Sequence, residues 1–287
     1  MTEGVAATSD KSRELKLRIA SAVVLAPIVL ALTAIGGTPF AVLTVAAGVV
    51  MASEWATIVL GRSWAPPRLV QLALVGLAVA VGAGLSPLGG SYAAVGAVAA
   101  LAAAALVARV EARAAARPDA PPWAVVGPIY AGLPSLALAA VRAAPQGLWL
   151  VLFLFAVVWA TDIAAYFTGR ALGGPKLWPA VSPKKTWSGA LGGLAAAALA
   201  GVVVAHFAGA PRLLPVLVVG AILSIASQAG DLFESSLKRR FGVKDSGWII
   251  PGHGGLLDRV DGLVAAAMAA AVVAAVNGGL AAANGGL

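Results

Sequence analysis

The sequence predicts an all-α, polytopic integral membrane protein: a helical bundle of about nine transmembrane helices with a cytoplasmic N-terminus. Three observations carry that expectation. Of 287 residues, 60% are hydrophobic and only 11% are Asp, Glu, Lys or Arg, whereas a soluble domain carries about 25% charged residues. The apolar residues form long runs, matching the ~20 residues that a bilayer-spanning helix needs. The charges are lopsided, with 20 basic against 12 acidic. This composition excludes an ordinary soluble globular protein, a disordered chain and a nucleic-acid-binding arm. No cysteine is present, which excludes a disulfide scaffold, thiol catalysis and any zinc site built on sulfur.

Apolar runs between charges and Gly/Pro breaks place the spans at 19–35, 38–60, 69–85, 91–107, 123–141, 147–168, 188–209, 212–232 and 260–282. Basic residues precede the first span, as in a secretory signal. Its apolar run is long and further spans follow, so a retained first helix is expected. The stretch 69–107 is so rich in Ala, Gly and Val that its limits are the least sharp. Three regions result: a basic cytoplasmic segment (1–18), the N-terminal membrane helices (19–122) and a C-terminal catalytic membrane region (123–287). The last region carries two cytoplasmic loops, 169–187 and 233–259.

Lys and Arg favour cytoplasmic loops. With the N-terminus inside, only Arg142 and Arg212 of the 20 cations fall on the outer side. A wrong number of spans would scramble that asymmetry. It predicts a protein of the inner (cell) membrane, with the active site facing the cytoplasm and the C-terminus outward. The basic, Pro-rich loop 108–122 is expected to touch lipid headgroups.

Acids within the hydrocarbon are costly and so are functional candidates. Glu54 and Asp162 lie six residues before the inner ends of the second and sixth spans. Asp231 closes the eighth span, and Asp258 and Asp261 open the ninth. All fall at similar depth, just under the cytoplasmic face. Asp258 and Asp261 are spaced i, i+3, so a helix starting there puts them on one face. Carboxylates that close repel unless a cation lies between them, and Mg²⁺ takes carboxylate and phosphate oxygens. The alternative is that the two acids cap the helix N-terminus. Glu54 either pairs with an inner-loop Arg or acts directly.

The first loop, GRALGGPKLWPAVSPKKTWSG, holds Arg170, Lys176, Lys184 and Lys185 among Gly, Pro and Ser. It leads into a helix N-terminus, a combination that suits an anionic phosphate. It is not a Walker A loop, since Lys185-Thr186 lacks the glycine spacing. The second loop carries Lys238, Arg239, Arg240 and Lys244, then Pro251-Gly252-His253-Gly254-Gly255 and Asp258-Arg259. Glycines there let the backbone approach a ligand. Cations can bind phosphate oxygens while acids hold a divalent ion. His253 either orients a phosphate or neighbouring acid, or serves as a hydrogen-bonding hub. His206, near the outer end of the seventh span, is expected to pack.

The stretch Ser235 to Asp261 resembles the signature of the phosphatidate cytidylyltransferase (CDP-diacylglycerol synthase) family. The matching residues are Ser235, Leu237, Lys238-Arg239, Lys244-Asp245, Gly247, Ile250-Pro251, His253-Gly254-Gly255, Asp258-Arg259 and Asp261. Gly169-Arg170 followed by Ser182-Pro183-Lys184-Lys185-Thr186-Trp187 is similar to the family's other marker, with Ser188 where Glu is expected. Asp162-x-x-Ala165-Tyr166 also fits. The resemblance implies that CTP and phosphatidic acid give CDP-diacylglycerol and diphosphate, with a homodimer as the assembly. On this reading Asp231, Asp258 and Asp261 hold Mg²⁺, with Asp162 as support and room for a second or monovalent cation. Arg170, Lys184 and Lys185, with Ser182 and Thr186, contact the triphosphate. Lys238, Arg239, Lys244 and Arg259 hold the lipid phosphate or the leaving pyrophosphate, and His253 assists. The partners are CTP, phosphatidic acid and the lipid bilayer, with no nucleic acid. The rival readings are another Mg-dependent membrane transferase, of CDP-alcohol phosphotransferase or prenyltransferase type, and an anion transporter. The longer Asp-rich motifs of the first two are not visible, and crowding of the chemistry into the C-terminal part argues against the transporter.

Overall fold

Each apolar run becomes a helix, because a chain in lipid must satisfy its backbone polar groups within itself. The computed structural model describes residues 2–87, 90–115, 117–250 and 254–283. Its helices in chain order are α1 (Thr2–Ile35), α2 (Gly37–Leu60), α3 (Pro66–Gly82), α4 (Gly90–Ala114), α5 (Ala120–Ala143) and α6 (Gly147–Leu172). A short hairpin, β1 (Lys176–Trp178) and β2 (Ser182–Thr186), leads into α7 (Trp187–Phe207), α8 (Leu213–Arg240) and α9 (Leu257–Ala283). The protein is therefore a helical membrane bundle, as its composition requires. Among the described residues, seven helices are long and apolar enough to cross a membrane. Ala20–Ile35 and Pro66–Gly82 are shorter apolar helices. The 17 residues of α3 reach ~26 Å against a hydrocarbon core of ~30 Å. The nine expected spans each coincide with a helix, and seven of those helices meet the length of a crossing.

Several boundaries differ from the sequence reading: α1 begins at Thr2, inside the expected segment 1–18, α4 runs to Ala114 past the expected 107, and two more differences bear on the site. Helix α8 was expected to stop at 232 but continues to Arg240. Glu234 and Lys238 are spaced i, i+4 and pair at 3.1 Å, so the charges close upon the helix's own surface. The loop expected at 169–187 is a hairpin in its second half. Its strands pair antiparallel, Lys176 with Thr186 and Trp178 with Ser182.

Helices α2 to α5 share one core, which Leu237 of α8 and Leu257 of α9 complete. Trp55 is its pivot. Its indole lies 4.8 Å from the Tyr130 ring and 6.1 Å from Phe233, and Nε1 donates to Trp123 O at 2.8 Å. Gly127 sits against the indole, where a side chain would collide. On the other side of the bundle, α6 packs along α7. A Cβ at Gly193 would meet Thr161 O at 2.8 Å, so small residues set how closely these helices approach.

Polar contacts gather at the two ends of the bundle. Arg68, buried at 2% exposure, pairs with Glu111 at 2.9 Å. Arg117 donates to Val59 O at 3.2 Å, and the Arg62 guanidinium lies over the Trp248 ring. These contacts join the ends of α2, α3, α4 and α5 to the segment before α9, as up-and-down alternation demands. At the opposite end Arg142 donates to Thr33 O at 2.6 Å and to Ala34 O at 3.0 Å. It caps the carbonyls left open at the end of α1, which gives this cation a structural task.

Candidate active site

The hairpin carries cations to the mouth of the bundle. Along β2, Lys184 is exposed, Lys185 half-buried and Thr186 buried. Thr186 Oγ1 accepts from Gly189 N at 3.1 Å and so caps α7. That hydroxyl, expected on a triphosphate, is engaged by the helix start. Ser188, standing where Glu was expected, donates to Gly173 O and ties the hairpin's base to α6. Lys185 points inward and pairs with Asp231 of α8.

That ion pair has company. Asp261 of α9 feels the charges of Asp231, Asp162 and Lys185, and Asp162 of α6 feels Asp231 and Lys185. Three carboxylates from three helices thus share one field with a single lysine from the hairpin. Asp261 Oδ1 accepts from its neighbour Gly262 N at 2.7 Å. Ser227, buried one turn before Asp231, faces Gly262 closely enough to exclude a side chain there.

Asp258 belongs to a second cluster. Its Oδ1 takes the Lys238 ammonium at 2.6 Å. Its Oδ2 accepts from Ser246 N at 2.8 Å, Ser246 Oγ at 2.9 Å and Gly255 N at 2.9 Å. Lys238 also faces the fully buried Glu234, at 3.1 Å. So i, i+3 spacing did not make Asp258 and Asp261 a matched pair: one closes the loop while the other looks toward α6 and α8. Asp258 bonds the backbone at the start of α9, as the capping alternative expected, and also holds a lysine, which was not expected.

Glu54 pairs with neither an inner-loop Arg nor an open site. It is 4% exposed. Its Oε1 accepts from Leu256 N at 2.8 Å, and its Oε2 from Leu257 N at 2.7 Å and Ser246 Oγ at 3.2 Å.

Of the other expected residues, Lys184, Arg239, Lys244 and Arg259 lie exposed and Ser182 is half-exposed. Arg170 is exposed and donates to Tyr166 Oη at 2.9 Å. His253 lies outside the described residues. Among the described residues no three acidic or histidine side chains are drawn together tightly enough to hold a metal ion. Sequence reasoning missed Glu234 and Ser246. The i, i+4 spacing of Glu234 and Lys238 was the available signal for the first; Ser246 has none.

Residues 16–276 match the cytidylyltransferase family. The chain is 47% identical over 254 residues to the phosphatidate cytidylyltransferase of Brucella suis biovar 1 (strain 1330), covering 88% of this chain and 90% of that protein. It is 46% identical over the same length to the phosphatidate cytidylyltransferase of Brucella abortus biovar 1 (strain 9-941), with the same coverage. The protein of that name from Haemophilus influenzae (strain ATCC 51907 / DSM 11121 / KW20 / Rd) is 49% identical over 126 residues, or 42% of this chain and 44% of its own.

Proposed function

Because the chain belongs to the cytidylyltransferase family and is a nucleotidyltransferase, we propose that it is an inner-membrane phosphatidate cytidylyltransferase working at the cytoplasmic face. Phosphatidic acid and CTP give CDP-diacylglycerol and diphosphate. One observation carries this reading: a hairpin lysine, Lys185, pairs with Asp231 of α8, and the charges of both are felt by Asp162 of α6 and Asp261 of α9.

A lipid phosphate oxygen attacks the α-phosphorus of CTP, the new P–O bond forms, and the bond to the β-phosphate breaks to release diphosphate. The phosphate is itself the nucleophile, so no covalent protein intermediate is needed. The obstacle is repulsion between two anions, and charge neutralisation with positioning removes it.

Lys185 supplies the first positive charge. Its ammonium can pass from Asp231 to a phosphate oxygen while its backbone stays paired in the hairpin. Lys184, its exposed neighbour in the hairpin, and Arg170, exposed near the end of α6, would add cations for the triphosphate. Arg239 of α8, Lys244 of the segment that follows it and Arg259 of α9, all exposed, would take the lipid phosphate or the leaving diphosphate. The donors are all carboxylate oxygen and carry more negative charge than Lys185 offsets, chemistry that suits a hard divalent ion such as Mg²⁺, but the three side chains would have to close further to hold one. Asp162, Asp231 and Asp261 would hold that ion, with Asp258 able to offer only Oδ1. Such an ion would neutralise phosphate charge in the transition state. The lipid tails would lie beside α6, where Ile163 (60% exposed), Tyr166 and Phe167 flank Asp162 and open sideways.

Membranes carrying the chain, incubated with labelled CTP, phosphatidate and Mg²⁺, are expected to form labelled CDP-lipid and diphosphate in equal amounts. No labelled lipid under those conditions would overturn the reading.

A further inference from the structure

The turn between α8 and α9 is fastened to a helix nearly 200 residues earlier in the chain. Glu54 stands in the last two turns of α2, and its carboxylate receives the amides of Leu256 and Leu257, at the residue before α9 and its first residue. Those amides have no partner within their own helix, and the positive end of the helix dipole favours a carboxylate there. Ser246 Oγ lies 3.2 Å from Glu54 Oε2 and 2.9 Å from Asp258 Oδ2. One hydroxyl therefore links a carboxylate of the N-terminal bundle to a carboxylate of the site. The backbone is built for this approach. A Cβ at Gly247 would lie 2.7 Å from Glu54 Oε1, and one at Gly255 would lie 2.7 Å from both carboxylate oxygens. Gly254 adopts φ +83°, which favours glycine, and its carbonyl accepts from Ile250 N at 3.0 Å. Glu54 itself is held by its neighbour Trp55, wedged among Trp123, Tyr130 and Phe233.

We propose that Glu54 is a positioning residue for nucleotidyl transfer: it fixes Ser246 and the backbone of Leu256 and Leu257, and through them the seat of Asp258 and Lys238 and the start of α9, one turn before Asp261. The inference rests on the reading of that site as the place of reaction. Glu54 touches no substrate; it holds the groups that do. Glutamine has the same shape but sets its NH2 against the N–H of either Leu256 or Leu257.

The test uses full-length protein purified in detergent, comparing wild type, Glu54→Gln, Ser246→Ala and the double variant. Amide hydrogen exchange in the peptide 254–260 is expected to rise at least tenfold in Glu54→Gln, with other helices unchanged. The turnover number is expected to fall by roughly 30- to 100-fold, as for a catalytic group displaced by about 1 Å, while the KM for CTP stays within about threefold. Ser246→Ala should lose less, and the double variant no more than Glu54→Gln, since both act through one link. Unchanged exchange at 254–260 overturns the proposal. So does a turnover loss that only mirrors the fraction unfolded, or one confined to KM. Should Glu54→Gln fail to insert, Ser246→Ala carries the same exchange and kinetic readouts. If wild type forms no CDP-lipid, the assigned reaction falls, and the exchange measurement still decides whether Glu54 holds the turn.

Discussion

Two lysines face acids in this molecule, and they face them differently. Lys185 and Asp231 are 29% and 31% exposed, and the lysine comes from a hairpin outside the helices. Lys238 is 14% exposed between Glu234 at 0% and Asp258 at 5%, and two of the three share one helix. The chemistry is the same, but the surroundings assign different work. A pair near water gains little from its contact and can exchange partners with an arriving phosphate. A buried trio cannot let go, because each freed charge would be left without solvent. On the proposed function, the open pair is suited to ligand exchange and the closed trio to holding the fold of the site.

The largest effect should come from breaking the closed trio. Lys238→Ala strands Glu234 and Asp258 as buried acids, and the loss of stability is expected to reach about 3–5 kcal/mol, read by unfolding in detergent. Asp258→Asn leaves Glu234 facing Lys238, so it should lose less stability and yet abolish CDP-lipid formation in protein that is still inserted. Near-normal turnover in purified Asp258→Asn would remove that carboxylate from the site's machinery.

The open pair predicts the reverse ratio. Lys185→Ala should change stability by less than about 1 kcal/mol, the usual range for an exposed pair. Activity is expected to fall about 10²- to 10³-fold, as for loss of a donor aimed at developing charge. Parallel unfolding curves and activity assays on the same preparation decide it. A stability loss matching that of Lys238→Ala would erase the distinction between the two lysines.

The same contrast explains what the sequence made legible. Helix positions from α2 to α9 follow from apolar runs because lipid leaves the backbone no other solution. The acids at one depth were equally plain, since a charge within an apolar run is conspicuous. The hairpin was hidden: three- and five-residue strands containing one proline and three lysines carry no apolar alternation and read as loop. Glu234 was hidden by the charges around it, which ended the eighth span too early. The partners of Glu54 were hidden most completely, because the amides of Leu256 and Leu257 belong to the backbone and have no letter of their own.

Thr186 offers the smallest and sharpest test, as it stands on the border between the two kinds of work. It neighbours Lys185 on the hairpin, which suggests a substrate contact, yet its Oγ1 caps α7 at Gly189 N. A capping hydroxyl contributes about 1 kcal/mol to stability and leaves affinity for the nucleotide alone. A hydroxyl on a phosphate does the opposite. Thr186→Ala is therefore expected to lower stability by about 1 kcal/mol with the KM for CTP unchanged, and Thr186→Ser, which keeps the cap, to resemble wild type. A several-fold rise in KM with stability intact would return Thr186 to the triphosphate. It would also mean that the triphosphate contacts begin one residue deeper in the bundle than Lys185.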